Sequence, residues 1–251
     1  MKNKLNLKKV QLTYLVSAVA IIVLAVLSLT QMNHTGYDVV TNFLTSNPLA
    51  SQTNTVFAQA SRVMFSFEMR WALFALLVLC LLTPLTYIYQ IWSKYKKLDL
   101  RLYRNIDSAV TAIFMFLLIA ILSGAQDISL LVFSGSLIAI GYLLACRYIK
   151  NKQSDKSLMV ISTVSLFLPW LMIASYALNS VFYGNVRSPW YVYVLYVVVL
   201  VKVAMLLVAG HWAKSKNANK VSETAQEVAP VVISLLIKVA FVVVLIVGLS
   251  K

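Results

Sequence analysis

The sequence predicts an all-α membrane protein of seven transmembrane helices, on three observations. The 251 residues are 61% hydrophobic with a mean hydropathy of +0.82, a composition of polytopic membrane proteins rather than soluble domains. Seven apolar stretches each approach the roughly 20 residues a helix needs to cross a bilayer. The stretches show no strand-like alternation, so helices, which satisfy their own backbone groups, are the expected spanning structure.

The first predicted span, 11–29, follows a basic start with Lys2, Lys4, Lys8 and Lys9. It is long for a signal peptide and no small-residue cleavage site follows, so an uncleaved helix is expected. A polar segment, 31–70, comes next, long enough to have structure or a role of its own. Phe57, Val63, Met64, Phe65 and Phe67 suggest that part of it packs down on the bundle, and Asn33-His34-Thr35 is a weak glycosylation pattern. The second span, 71–91, contains Pro84, which predicts a kink. A basic connection leads to the third span, 102–122, with Asp107 in its first turns. The link 123–127 is short, so the third and fourth spans are antiparallel neighbours. The fourth span is 128–145. The fifth, 158–178, has Pro169-Trp170 at its centre, and the sixth, 190–212, has Lys202 near its middle. The seventh, 228–249, starts with Pro230 in its first turn. All of 1–251 reads as one seven-helix domain.

Lys and Arg distribution sets the orientation. On the N-terminal side lie the four lysines of the start; Lys94, Lys96, Lys97, Arg101 and Arg104; Arg147, Lys150, Lys152 and Lys156; and Lys214, Lys216 and Lys220. The other side has only Arg62, Arg70, Arg187 and Lys251. The N-terminus is therefore expected inside, at the cytoplasmic face of the cell membrane, and the C-terminus outside. The net charge of +14 follows from this placement at helix ends, which argues against nucleic acid as a partner and for the lipid bilayer. Cys80 and Cys146 both fall in or at the edge of spans, where neither a disulfide nor a metal site is expected.

Lys238 lies about ten residues from either end of the seventh span, too deep to snorkel out easily. A charge at that depth is costly and usually functional, with a partner in the bundle. Ser234 stands at i−4 on the same face. Asp107 enters the membrane about 7 Å deep and Lys238 about 14 Å, at 1.5 Å per residue, and the lysine leans back toward its own N-terminus. The gap matches one lysine side chain, so an Asp107–Lys238 pair is plausible. The alternative is that Asp107 caps the third helix and offsets only Arg104.

The stretch LYRNIDSAVTAIFMFLLIAILSGAQDISLLVFSG, the Pro169-Trp170 pair and Ser234-Leu-Leu-Ile-Lys238 together resemble heliorhodopsins. These are microbial retinal proteins with a rhodopsin-like bundle of inverted topology, N-terminus inside. The resemblance runs from the third span onward. It implies that Lys238 binds all-trans retinal covalently as a Schiff base, that Asp107 is the counterion, and that Ser234 hydrogen-bonds nearby. A protonated imine buried in an apolar bundle does need a close anion. The chain departs from the family pattern in having Asp107 where glutamate is usual and Asn105 where tryptophan is usual. It also has only His34 and His211, both near membrane edges, where many members have histidines near the counterion. Lys202 departs too, and Ser136 is one candidate contact for it. Thr111, Met115, Trp170 and Tyr196 are pocket candidates, Thr111 because it follows Asp107 by four. Trp190 and Tyr193 look like interface anchors.

The expected function is a light sensor that signals to an unidentified partner after a slow photocycle, and the resemblance implies a homodimer. The rivals are a light-driven proton or ion conductor and a pigment-free scaffold or transporter. An enzyme is not expected, because no Ser-His-Asp, metal-ligand or phosphate-cradling set is present.

Overall fold

A computed structural model describes residues 7–46, 57–92, 100–150, 156–183, 188–213 and 223–250. Helix α1 (Leu7–Gln31) leads into an antiparallel hairpin of β1 (Gly36–Ser46) and β2 (Phe57–Glu68). Then follow α2 (Met69–Cys80), α3 (Leu82–Trp92), α4 (Leu100–Leu122), α5 (Ile128–Lys150), α6 (Lys156–Tyr183), α7 (Trp190–Ala213) and α8 (Glu223–Leu249). Seven helical runs are long and apolar enough to cross a membrane, α2 and α3 together making the second, Met69–Tyr89. Much of the orientation count, including the lysines at 94–97 and 214–220, falls outside the described residues.

The break between α2 and α3 has a backbone cause. Pro84 has no N–H to give the carbonyl of Cys80 four residues earlier, and the helix interrupts at Leu81, whose N–H turns to the Val78 carbonyl at 3.1 Å. The break at the expected kink is one residue long: Leu81 keeps right-handed helical dihedrals, and the ladder resumes with the Leu85 N–H on the Leu81 carbonyl at 3.0 Å.

Around the bundle axis, α8 packs between α1 and α7, α1 continues to α2 and α3, and α4 bridges these to α7. The enclosed core includes Leu73, Met115, Ile119, Val199, Phe241 and Leu245, each at most 1% exposed. Apolar side chains also face outward, such as Leu12, Val16, Val19 and Val23 on α1, the pattern expected where the solvent is acyl chain. The layer α5–α6 lies to one side, drawn close at Gly141. There the Ser162 hydroxyl donates to the Gly141 carbonyl at 2.8 Å, and a Cβ on Gly141 would meet Leu166 Cγ at 2.6 Å. Gly141→Ala is expected to cost about 1–3 kcal/mol by overpacking, read as a lower thermal midpoint in detergent. A Leu166→Ala change in that background should recover part of the loss.

The hairpin corrects the expectation that no segment alternates as a strand. Glu68 and Gly36 pair at its base and Ser46 and Phe57 at its far end, with a bulge that leaves Met64 opposite no residue of β1. Val63, Met64 and Phe65 do not pack down on the bundle: each is half exposed or more. Only the part nearest the helices reaches the core, through buried Val39 and partly buried Tyr37 and Phe67. The side chain of Phe57 falls outside the described residues.

The hairpin is fixed to the turn between α4 and α5. That turn closes with Gly124 at φ +92° and the Ala125 N–H on the Ala120 carbonyl at 2.9 Å, a glycine C-cap. Asp127 caps α5 by accepting from the N–H groups of Ser129 (2.8 Å) and Leu130 (3.3 Å). Its other oxygen accepts from the Asn42 side-chain amide at 2.5 Å, and Val40 N–H bonds the Gln126 carbonyl at 2.9 Å. Burial alone would raise the Asp127 pKa, but these donors outweigh it and hold the carboxyl below the usual range. A carboxyl whose folded pKa is depressed stabilises fully above its unfolded pKa of about 3.9, and that stability is lost as pH falls through the folded value. Asp127→Ala is expected to remove about 1 kcal/mol of cap stability and to flatten the acid limb of the melting curve below about pH 4.

The α1 and α8 ends meet beside the hairpin, where Asn33 N–H bonds the Leu249 carbonyl at 3.3 Å. His34, Glu68 and Arg70 cluster there, with Arg70 Nε 2.5 Å and His34 Nδ1 3.4 Å from Glu68 Oε2. At the opposite end Tyr14 and Tyr87 stack with centroids 4.1 Å apart, beside Val10 and Val231.

Candidate cofactor site

Three helices bring polar groups to one depth. Counting from the hairpin end, Cys80 is 11 residues from the start of α2, Lys202 is 12 from the start of α7, and Lys238 is 11 from the end of α8. At 1.5 Å per residue all three lie about 16–18 Å in. Asp107 is 15 residues from the end of α4, hence about 22 Å in. Lysine side chains on α8 lean toward the α8 N-terminus, away from the hairpin, which closes the offset of about 6 Å.

The contact is made. Lys238 Nζ donates to both Asp107 oxygens, at 2.8 and 3.1 Å. The side chains are only 5% and 8% exposed, so the pair is shielded from water and screening. Asp107 therefore takes up the Lys238 cation rather than acting only as a cap near Arg104. Thr111 is fully buried; its hydroxyl donates to the Asp107 carbonyl at 2.6 Å and lies 3.3 Å from Cys80 Sγ. Cys80 thus joins the Asp107 turn of α4 through Thr111, which brings α2 to the site.

Two polar groups nearby find no partner among the described residues. Ser234 Oγ, one turn before Lys238, is buried and makes no hydrogen bond. Lys202 is 6% exposed, with Nζ unpaired; Lys238, Asp107 and Cys80 are the charged or titratable groups within its electrostatic reach. The expected contact with Ser136 is absent. Ser136 is exposed and bonds back to the Val132 carbonyl at 2.8 Å, because it sits on the outer face of α5.

The remaining candidates form a second group toward the hairpin. Trp170 packs edge-on to Phe116 (5.6 Å) and to Tyr196 (6.2 Å). The Tyr196 hydroxyl bonds Ser123 Oγ at 2.6 Å. Met115, fully buried, follows Thr111 by one turn on α4 and with Phe116 connects the two groups. Trp190 and Tyr193 are both exposed. His34 belongs to the cluster at the hairpin base, and the side chain of His211 falls outside the described residues.

Sequence reasoning missed Cys80 and Phe116. The depth arithmetic that pairs Lys238 with Lys202 would have found Cys80, since it needs only the start of α2. Phe116 carried no signal beyond adjacency to Met115.

The arrangement can hold a cation on the Lys238 nitrogen in an apolar interior, with a cluster of packed aromatic rings beginning about two turns away along α4. A family model described as heliorhodopsin matches residues 5–248. No curated protein matches the chain.

Proposed function

The chain belongs to the heliorhodopsin family of seven-helix membrane proteins, and from that membership we propose that it is a light sensor carrying all-trans retinal covalently on Lys238, with Asp107 as counterion. The observation that carries this assignment is the buried two-point contact of Lys238 with Asp107, at 2.8 and 3.1 Å. The residues present suit the cofactor. A Schiff-base nitrogen at Lys238 needs an anion within contact distance, and Ser234 supplies a buried hydroxyl one turn away that bonds nothing among the described residues. Phe116, Trp170 and Tyr196 offer flat apolar walls of the kind a polyene packs against.

Retinal, when bound, supplies visible absorption and photoisomerisation. The chain does the rest. Asp107 holds the positive charge on the lysine nitrogen, Thr111 ties the Asp107 turn of α4 to α2 through Cys80, and Trp170 with Tyr196 and Phe116 supplies the aromatic surface against which the polyene would pack. With so little of the pair exposed, proton exchange with solvent is slow, which favours a long-lived signalling state over rapid pumping. The N-terminus is cytoplasmic on the charge count, in the cell membrane, and the protein works as a homodimer with a separate signalling partner.

The test is to add all-trans retinal to the expressed protein and record the visible spectrum. A visible band is expected; its absence would leave a pigment-free scaffold. Illuminated vesicles are expected to carry no steady current, and a sustained current would favour the ion conductor, for which buried Lys202 is the motivating residue.

A further inference from the structure

We propose that Lys202 is the base that frees the Lys238 amine for attachment of retinal and returns the proton when the linkage closes. This rests on Lys238 being the attachment lysine, as proposed above. Before attachment, Lys238 Nζ is clamped by both oxygens of Asp107, which holds it as an ammonium. An ammonium has no lone pair and cannot attack an aldehyde carbon. Asp107 stabilises that charge and so opposes its removal.

Lys202 has what the step requires. It lies at the same depth as Lys238 on the neighbouring helix α7, is 94% shielded, and donates to no acceptor among the described residues. The groups in its electrostatic reach are Asp107 on α4, Lys238 on α8 and the Cys80 thiol on α2. Asp107 is already taken up by Lys238, and Cys80 is engaged with Thr111. A second unpaired cation in this interior is costly and repelled by the first, so the surroundings accept the uncharged amine with its lone pair free.

The chemistry balances without a co-reactant. Lys202 Nζ takes one proton from Lys238. The Lys238 nitrogen then bonds to the aldehyde carbon of retinal, and the carbonyl oxygen leaves as water with the two hydrogens of that amine. Lys202 gives its proton back to the new imine nitrogen, beside Asp107. Nothing is oxidised or reduced.

The experiment is to mix retinal-free protein with all-trans retinal and follow growth of the visible band with time. Lys202→Met is expected to load about a hundredfold more slowly yet reach the wild-type amplitude. Lys202→His should recover most of the rate, because imidazole accepts a proton near neutral pH. Lys202→Arg should not, because guanidinium stays charged. A purely structural role would move the thermal midpoint of the retinal-free protein without ordering the rates His above Arg. Equal rates for wild type and Lys202→Met, or an Arg variant as fast as the His variant, would overturn the proposal. A wild type that forms no band, or a band that survives Lys238→Ala, sinks the attachment site itself and is seen separately.

Discussion

Lys238→Ala is expected to abolish the visible band formed with all-trans retinal, while Lys202→Ala keeps it. The two lysines lie at the same depth, so the comparison tests the site rather than the general cost of removing a buried amine. Lys238 has the two-point contact with Asp107 and Lys202 has none. The alanine variant also strands the Asp107 carboxylate in the core. Breaking a buried pair by removing one partner costs about 3–5 kcal/mol, so folding should be checked by thermal midpoint before the missing band is interpreted. A band that survives Lys238→Ala and vanishes in Lys202→Ala would transfer the attachment site to α7.

Asp107→Asn is expected to have the second largest effect, on two separate measurements. In the retinal-free protein it leaves the Lys238 ammonium uncompensated, at a cost again of about 3–5 kcal/mol. The double variant Asp107→Asn/Lys238→Met, which removes both charges, should recover most of that loss, and the double-mutant cycle gives the coupling directly. In the pigment the same change removes the anion that keeps the imine protonated, so absorption at neutral pH should move from the visible toward the near-ultraviolet. Asp107→Glu keeps the charge and should retain a visible band at a displaced maximum. An Asn variant that keeps the wild-type colour would show that another group balances the charge.

How legible the site was depended on helix geometry. The pairing of Asp107 with Lys238 followed from rise per residue and the lean of side chains, because both helices are regular through the relevant turns. The same arithmetic could reach Cys80 only with the right starting point, and α2 begins at Met69, directly after a strand that was not foreseen. The hairpin was hidden for a physical reason. Its strands bury only a few residues, chiefly Val39, and expose Phe43, Leu44, Val63, Met64 and Phe65, so neither strand has the apolar-in, polar-out alternation that marks a half-buried sheet. The break at Leu81 was visible as Pro84, but a proline alone does not say how far the hydrogen-bond ladder is disturbed before it resumes. Lys202 stood out in the sequence, yet its lack of a partner among the described residues could not be read there, since the candidate neighbour, Ser136, lies on the far face of α5.

The hairpin also has a mechanical consequence. It runs between α1 and α2 and is pinned to the α4–α5 turn by Asn42–Asp127 and Val40–Gln126, while α1 and α8 are joined beside it through Asn33 and Leu249. Five helices are thereby clasped at one rim. At the other rim the described contacts are softer, a stacked tyrosine pair and a few valines. A bundle clasped on one side behaves as a set of levers with a common fulcrum. Small displacements around Lys238, near the middle of the lever arm, are therefore expected to be larger at the Tyr14–Tyr87 rim than at the clasped one.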